Sequence, residues 1–226
     1  MTKTKTMTKT KSKTKSKTKS KTKSSYIYIQ KGDILLTIPI LRINHSMLIY
    51  NTKIKTGKCC KQCNKYYTEI PILHCKERYN CHEASRSLKN LILLQPNFIE
   101  IKKLIPKLNK TKLVNCVIKN MKYFVNNPNV KWKLPQHKIF KKCKITKKKM
   151  LTQTVDFKER KSIFCHEAII LSWRRGLYEY LNTLYKNDKN IIIKIINNII
   201  PINSKNCLLD FSKYLNNTLY WNKKII

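Results

Sequence analysis

After its first 25 residues the chain continues with short runs of apolar residues that are typical of β-strands. Between residues 26 and 56 most apolar residues are β-branched, aromatic or leucine, in the runs YIYIQ, KGDILLTIPILRI and MLIYN. Gly32 and Asp33 are a turn signal between two of these runs, and Pro39 favours an edge position or a bend. The pattern therefore predicts a small β region over residues 26–56.

After Cys81 the apolar residues recur every three or four positions, which is the period of an amphipathic helix. Three such apolar stripes are Leu88, Leu91 and Ile92; Phe98, Ile101, Leu104 and Ile105; and Val114, Val117, Ile118 and Met121. The longest periodic segment runs from about Val155 to Tyr185, and Gly176 is expected to weaken its middle. Residues 191–202 have the composition of a core helix, so the last two thirds of the chain should be mostly α-helical.

These patterns predict an α+β fold with more helix than strand, and they divide the chain into four parts. Residues 1–25 are a basic tail, 26–56 the small β region, 57–95 a cysteine-rich finger with a following helix, and 96–226 a helical region. Lysine occupies nearly every second position of the tail, and like charges at that density oppose a compact form, so we expect disorder. The tail suits a phosphate-binding arm, an import signal or a solubilising repeat, and these alternatives stay open.

The chain holds 49 lysine and arginine residues against 11 acidic residues, which gives a formal net charge of +38. Such a surplus repels itself unless a polyanion neutralises it, and nucleic acid is the usual polyanion. An AT-rich genome also raises the lysine, asparagine and isoleucine content together, which is the alternative explanation. The cations that we expect to contact nucleic acid are Lys58, Lys61, Lys65, Arg78, Arg86, Lys89, Arg174 and Arg175.

Two features of composition limit the classes of protein to consider. The tail contains no apolar stretch that could act as a secretory signal, and residues 191–202 are too short to span a bilayer, so we expect an intracellular protein without a membrane partner. With only three glycines, the chain cannot form a phosphate-cradling loop or a dinucleotide fingerprint. We therefore predict no enzymatic activity and no catalytic residues.

The cysteines between residues 57 and 88 predict a zinc site. Cys60 and Cys63 have the spacing with which two thiolates grip one face of a tetrahedral ion, and Cys75 and Cys81 would complete the site. Alternative ligands are Cys59, His74 and His82. An iron–sulfur cluster would fit the same four cysteines. Three of the other cysteines, at positions 116, 165 and 207, lie in apolar helical patterns and are expected to be buried thiols.

The run KIKTGKCCKQCNKYYTEIPI, Lys53 to Ile72, resembles the start of the short zinc finger of the viral late transcription factor 2 family of poxviruses and related large DNA viruses. Cys60 and Cys63 match the first cysteine pair, Pro71 and Ile72 the proline step, and SRSLKNLILL the helix after the second pair. The family's Phe-Cys-Ser at the second pair is replaced here by His74-Cys75-Lys76. The resemblance covers about thirty residues and implies a Zn²⁺-binding transcription factor of a DNA virus that acts with the viral polymerase. DNA is favoured over RNA as the ligand, and both stay open.

A second resemblance concerns the segment before the cysteines. KGDILLTIP, Lys31 to Pro39, is similar to the opening strand of SET-domain lysine methyltransferases, and Asn44-His45-Ser46 is similar to part of their cofactor site. In that family the Asn-His-Ser motif follows the finger, whereas here it precedes the finger.

The cysteines, the charge and the first resemblance together predict a zinc-binding, nucleic-acid-binding transcription factor. The alternatives are a zinc-clipped protein-interaction module and a degenerate methyltransferase.

The zinc prediction is tested by the metal content of the chain purified without chelator, repeated on Cys63→Ser. We expect one zinc per chain in the wild type and none in the variant, because removal of one thiolate opens the tetrahedral site. Wild-type protein without metal would contradict the finger.

Overall fold

A five-stranded antiparallel sheet and four helices form the main body of the part of the chain that the structure describes. The structure is a computed structural model, and it describes residues 28–37, 46–53, 55–58, 66–69, 72–73, 91–132, 154, 162–163, 165–186, 188–201 and 219–225. Helix outweighs strand in these ranges, which confirms the α+β, mostly α prediction. The basic tail lies outside them.

The elements follow one another in a mixed order along the chain. The strands are β1 (Ile34–Thr37), β2 (Ser46–Ile49), β3 (Lys55–Lys58), β4 (Tyr66–Glu69), β5 (Ile72–Leu73), β6 (Leu91–Pro96), β7 (Lys131–Trp132), β8 (Ser162–Ile163) and β9 (Trp221–Ile225). The helices are α1 (Phe98–Leu104), α2 (Lys110–Asn126), α3 (Cys165–Tyr185) and α4 (Lys189–Ile199). The main sheet has the order β5-β2-β1-β6-β9, β3 pairs with β4, and β7 pairs in parallel with β8.

The central strands of the main sheet are buried on both faces. Ile34, Leu36, Leu48 and Leu94 belong to the large core that the helices share. Leu35, Met47, Ile49 and Leu93 form a second cluster with Ile29 and Ile72. Because successive residues of a strand point to opposite faces, a strand that is covered on both sides reads as an unbroken apolar run.

The run LILL shows this effect and corrects one prediction. Residues 91–94 were expected to continue the helix after the finger, but they form most of β6, between β1 and β9. Both Leu93 and Leu94 are fully buried, on opposite faces of the sheet. A short apolar run does not distinguish a buried strand from a helix by periodicity, and here the pairing with β1 decides the outcome.

The helices begin at polar caps. Asn97, Asn109 and Asp188 precede α1, α2 and α4, and their side-chain oxygens accept hydrogen bonds from backbone N–H groups of the first turn. The core helix predicted over residues 191–202 is confirmed as α4, although it begins at Lys189 and ends at Ile199. The long segment predicted from Val155 forms α3 only from Cys165, because Ser162 and Ile163 pair with β7.

Helices α2 and α3 approach each other closely at Gly176. A Cβ atom on Gly176 would lie 2.7 Å from both the backbone nitrogen and a side-chain methyl carbon of Val117. Only a residue without a side chain fits at that separation. Gly176 therefore does not weaken α3, which runs unbroken through this position, but allows its contact with α2.

The region predicted to be mostly helical also supplies the edge strand β9. Trp221 packs edge-on against Trp173 of α3, with 5.0 Å between the ring centroids, and its indole Nε1 donates to the Ile199 carbonyl at 2.9 Å. Strand β9 joins the sheet that β1 and β6 form, so parts of the chain before and after residue 96 contribute to one sheet. The division of the chain into domains stays a prediction.

A buried carboxylate sits at the start of β1. Asp33 is fully buried, and its Oδ2 accepts from Gln95 Nε2 at 2.8 Å and from the Gln30 backbone N–H at 2.9 Å. Its Oδ1 is buried and has no hydrogen-bond partner among the described residues. Burial raises the pKa of Asp33 from 3.8 to about 6, against the opposing effects of these hydrogen bonds and of Lys110. The turn before it is the predicted one, with Gly32 at a φ of 90°.

The raised pKa of Asp33 predicts a pH-dependent stability. The folded state holds its proton to a higher pH than the unfolded state, so the free energy of unfolding falls as pH rises from about 4 to 6 and stays lower above 6. Asp33→Asn should remove this loss and stabilise the protein by up to about 3 kcal/mol at pH 7.5, with little effect at pH 4.

Urea unfolding of the variant and the wild type at both pH values measures this difference. Asp188→Asn is the matched control, since it makes the same change at the α4 cap and asparagine caps helices equally well. An Asp33→Asn effect that is the same at pH 4 and pH 7.5 would contradict the argument.

Candidate nucleic-acid interface

One side of α2 carries a straight row of exposed polar residues. Lys112, Asn115, Lys119, Lys122 and Asn126 are all exposed and follow one another at spacings of three and four residues. We call this row the lysine stripe. At 1.5 Å per residue it extends about 21 Å along the helix.

The packing of α2 determines which side faces the solvent. The opposite side is buried against α3 and the sheet, through Leu113, Val114, Val117, Ile118, Met121 and Phe124. The contact at Gly176 fixes the rotation of α2, because Val117 must face α3. Rotating the helix to hide the stripe would bury three ammonium groups, each at a cost of several kcal/mol.

Among the described residues, Glu179 is the acidic side chain paired with the stripe. Glu179 of α3 lies 3.5 Å from Lys119 Nζ, but it also accepts from Arg175 Nε at 3.2 Å. On the other side, Lys122 Nζ lies 5.8 Å from the centre of the Tyr50 ring, which is a cation–π contact. The carboxylate of Glu179 is therefore shared between two cations, Lys119 and Arg175, and it also accepts from the Asn120 amide at 3.2 Å.

The segment that contains the stripe is basic throughout. Residues 98–127 include seven lysines, all exposed, and one acidic residue, Glu100. Glu100 pairs with Lys103 at 2.6 Å. Lys110 has a structural role, since its Nζ donates to Gln30 Oε1 at 2.6 Å and lies 4.7 Å from the centre of the Phe98 ring. An excess of exposed lysines on one segment attracts polyanions.

The prediction that Arg174 contacts nucleic acid is wrong. Its side chain is fully buried, and its Nε donates to Thr154 Oγ1 at 2.8 Å. Its other nitrogens donate to the Ile200 carbonyl and, at 3.0 Å, to Asn197 Oδ1. Arg174 thus joins α3 to the end of α4. Arg175 is part-buried beside Glu179 and Tyr178, and its contact with nucleic acid stays a prediction.

The other predicted site residues lie mainly outside the described residues. These are the zinc ligands Cys60, Cys63, Cys75 and Cys81, the alternates Cys59, His74 and His82, and the cations Lys61, Lys65, Arg78, Arg86 and Lys89. For Lys58 the structure describes the backbone, as the last residue of β3. Within the described ranges no three histidine, cysteine or acidic side chains come together as metal ligands.

The strands on either side of Cys60 and Cys63 are paired with each other. Lys58 at the end of β3 lies opposite Tyr66 at the start of β4. Residues paired in this way have Cα atoms about 5 Å apart. The two ends of the segment that connects β3 to β4 are therefore close together. A Cys-x2-Cys segment between two such ends has the connectivity of a zinc knuckle.

Cys165 and His166 approach each other more closely than their sequence positions suggest. Adjacent residues in the middle of a helix point about 100° apart, but Cys165 is the first residue of α3, and its Sγ lies 3.4 Å from His166 Nδ1. Burial raises the pKa of the Cys165 thiol, against opposing hydrogen bonds from Ser46 and nearby backbone groups. The thiolate, which is the nucleophilic form, is therefore disfavoured at neutral pH. This pair gives no support to an enzyme.

The lysine stripe was missed in the sequence, although the information was present. Val114, Val117, Ile118 and Met121 predicted the buried side of α2, and the residues between them repeat at the same helical spacing. The sequence places Lys112, Lys119 and Lys122 on the side of the predicted helix opposite this apolar stripe. The lysines that were predicted to contact phosphates lie in the tail and around the finger instead.

Comparison with known proteins found no matching family model, no matching curated protein and no matching solved structure. The described helices include none with the length and apolar character needed to cross a bilayer. The assignment of a function to the chain therefore rests on its own residues.

The buried position of Arg174 predicts a stability effect that Arg175 should not share. In Arg174→Lys the shorter side chain cannot donate hydrogen bonds to Thr154, Asn197 and Ile200 at the same time. The free energy of unfolding should therefore fall by about 2 kcal/mol or more. Arg175→Lys, the matched control at a part-exposed site, should cost less than about 1 kcal/mol. Chemical denaturation measures both values, and equal losses would contradict the assignment.

Proposed function

We propose that this protein binds nucleic acid through the lysine stripe, with its lysines contacting backbone phosphates. The observation that carries the proposal is the row of three exposed lysines and two asparagines on one side of α2, in a segment with seven lysines and one acidic residue. Lysine acts as a point charge toward phosphate, so these contacts position the protein without reading the base sequence.

The dimensions of the stripe suit a nucleic-acid backbone. A row about 21 Å long spans roughly six base pairs, at 3.4 Å per base pair. Lys112 and Lys119 are separated by about two helical turns and Lys119 and Lys122 by about one, so the three ammonium groups can reach different phosphates. The asparagine amides between them donate hydrogen bonds to phosphate or sugar oxygens.

The proposal includes Zn²⁺ at Cys60, Cys63, Cys75 and Cys81, which the pairing of β3 with β4 supports. Zinc would hold the ends of the finger and contribute to its folding. The resemblance to the viral late transcription factor 2 finger favours DNA as the ligand and a transcription complex as the setting. The described residues that support the proposal are the exposed side chains of the lysine stripe and the paired strands β3 and β4.

The proposal predicts a salt-dependent affinity that the stripe controls. For the full chain on a 20-base-pair DNA duplex, the logarithm of the affinity should fall linearly with the logarithm of salt concentration. In Lys112→Gln/Lys119→Gln/Lys122→Gln the slope should become shallower by about 2 to 3, because each phosphate contact contributes about 0.9. Fluorescence anisotropy across a salt series measures this slope.

The matched control is Lys186→Gln/Lys189→Gln/Lys194→Gln, which removes three exposed charges after α3 and on α4. Both variants keep the basic tail, so a contribution from the tail cancels in the comparison. Equal slopes for the two triple variants would refute the stripe as the binding surface. Salt-independent association with a protein partner would instead favour the interaction-module alternative. A duplex RNA of the same sequence tests the preference for DNA.

A further inference from the structure

Strand β9 lies at the edge of the main sheet, with β6 on one side. Among the described strands none pairs with its other side. Its last four residues, Asn222 to Ile225, are all exposed, and Ile225 is 73% exposed. An edge strand of this kind presents backbone N–H and C=O groups to any extended chain that can lie beside it.

The register identifies which backbone groups point outward. Asn97 N–H donates to the Tyr220 carbonyl at 2.8 Å, in line with the pairing of Pro96 with Trp221 and Gln95 with Asn222. Hydrogen-bonded and non-hydrogen-bonded pairs alternate along an antiparallel ladder. Asn222 and Lys224 therefore bond to β6, whereas the N–H and C=O groups of Lys223 and Ile225 point away from β6, to the side where no described strand lies.

The side chains of β9 indicate the charge of a suitable partner. Lys223 and Ile225 lie on the face of the sheet that Trp221 shares, and Asn222 and Lys224 lie on the opposite face. A strand added beside β9 would meet one exposed lysine on each face. A second copy of β9 would place lysines near lysines, and like charges in facing positions destabilise a sheet.

We propose that β9 is a docking strand for an extended acidic segment of another protein, which adds to the sheet antiparallel to β9. Two consecutive acidic residues of the segment lie opposite Lys224 and Lys223, one on each face, and a β-branched residue lies opposite Ile225. The backbone bonds at Lys223 and Ile225 supply affinity, and the two lysines supply selectivity for acidic sequence. This surface is separate from the lysine stripe and does not depend on the proposed nucleic-acid binding.

The probe is a synthetic peptide, threonine-valine-glutamate-glutamate-threonine-valine with blocked ends, titrated into the full chain by calorimetry. Lys223→Pro is the decisive variant, because it deletes an outward N–H while leaving the ladder to β6 intact, and proline is tolerated at such edge positions. Lys223→Ala is its matched partner, since it removes the same charge and keeps the N–H. We expect the proline variant to bind at least about fivefold more weakly than the alanine variant.

Charge selectivity is tested with Lys223→Glu/Lys224→Glu, which should bind the peptide at least about tenfold more weakly than Lys186→Glu/Lys189→Glu. The stripe variant Lys112→Gln/Lys119→Gln/Lys122→Gln should bind it like the wild type. Thermal unfolding of each variant verifies the fold. No binding to the wild type, equal affinities for the proline and alanine variants, or loss of binding in the stripe variant would each overturn the proposal.

Discussion

The contact between α2 and α3 at Gly176 is the constraint on which the rest of this structure depends. There the backbone of α3 lies against both the backbone and the side chain of Val117, because Gly176 has no Cβ to hold Val117 away. The contact fixes the rotation of α2, and that rotation sends its lysines outward. From the same helix α3, Trp173 reaches Trp221 of the edge strand and Arg174 reaches the end of α4. The packing of α2 against α3 therefore determines which side of α2 faces the solvent, and α3 in turn contacts the sheet and α4.

Several acidic side chains among the described residues are buried or paired with nearby cations. Among the described side chains, Asp33 is buried in the sheet, Glu100 pairs with Lys103, and Glu179 is shared by Lys119 and Arg175. Within the described ranges, these three acids therefore leave little negative charge to balance the exposed lysines of α2. The buried guanidinium of Arg174 is satisfied in another way, by a hydroxyl, a carbonyl and an amide oxygen. A planar group with five donors suits such a site.

The sequence predicted the helices better than it predicted the sheet, for a physical reason. Amphipathic segments such as α2 and α4 carry their own signature, since each repeats its apolar residues on one side. The strand β6 carries no such signature, because both of its faces are buried, and β9 has three polar residues in five. Their pairing is set by distant parts of the chain. Burial of Arg174 was equally invisible, because its acceptors lie on Thr154, Asn197 and Ile200. Unlike β6, β9 and the burial of Arg174, the lysine stripe is predictable from the sequence, because it lies on the side of α2 opposite the apolar residues.

The position of β9 in the sheet also bears on how the chain reaches its native state. Asn97, just after β6, hydrogen-bonds to Leu219, which lies 122 residues further along. Closing so long a loop costs entropy before any pairing compensates for it, so folds of this connectivity gain their last strand slowly. During synthesis β1, β2 and β6 leave the ribosome well before β9, and until then β6 lacks β9 as its neighbour in the sheet. The indole of Trp221, which moves from water to the face of Trp173 when β9 docks, is a natural fluorescent reporter of that final step.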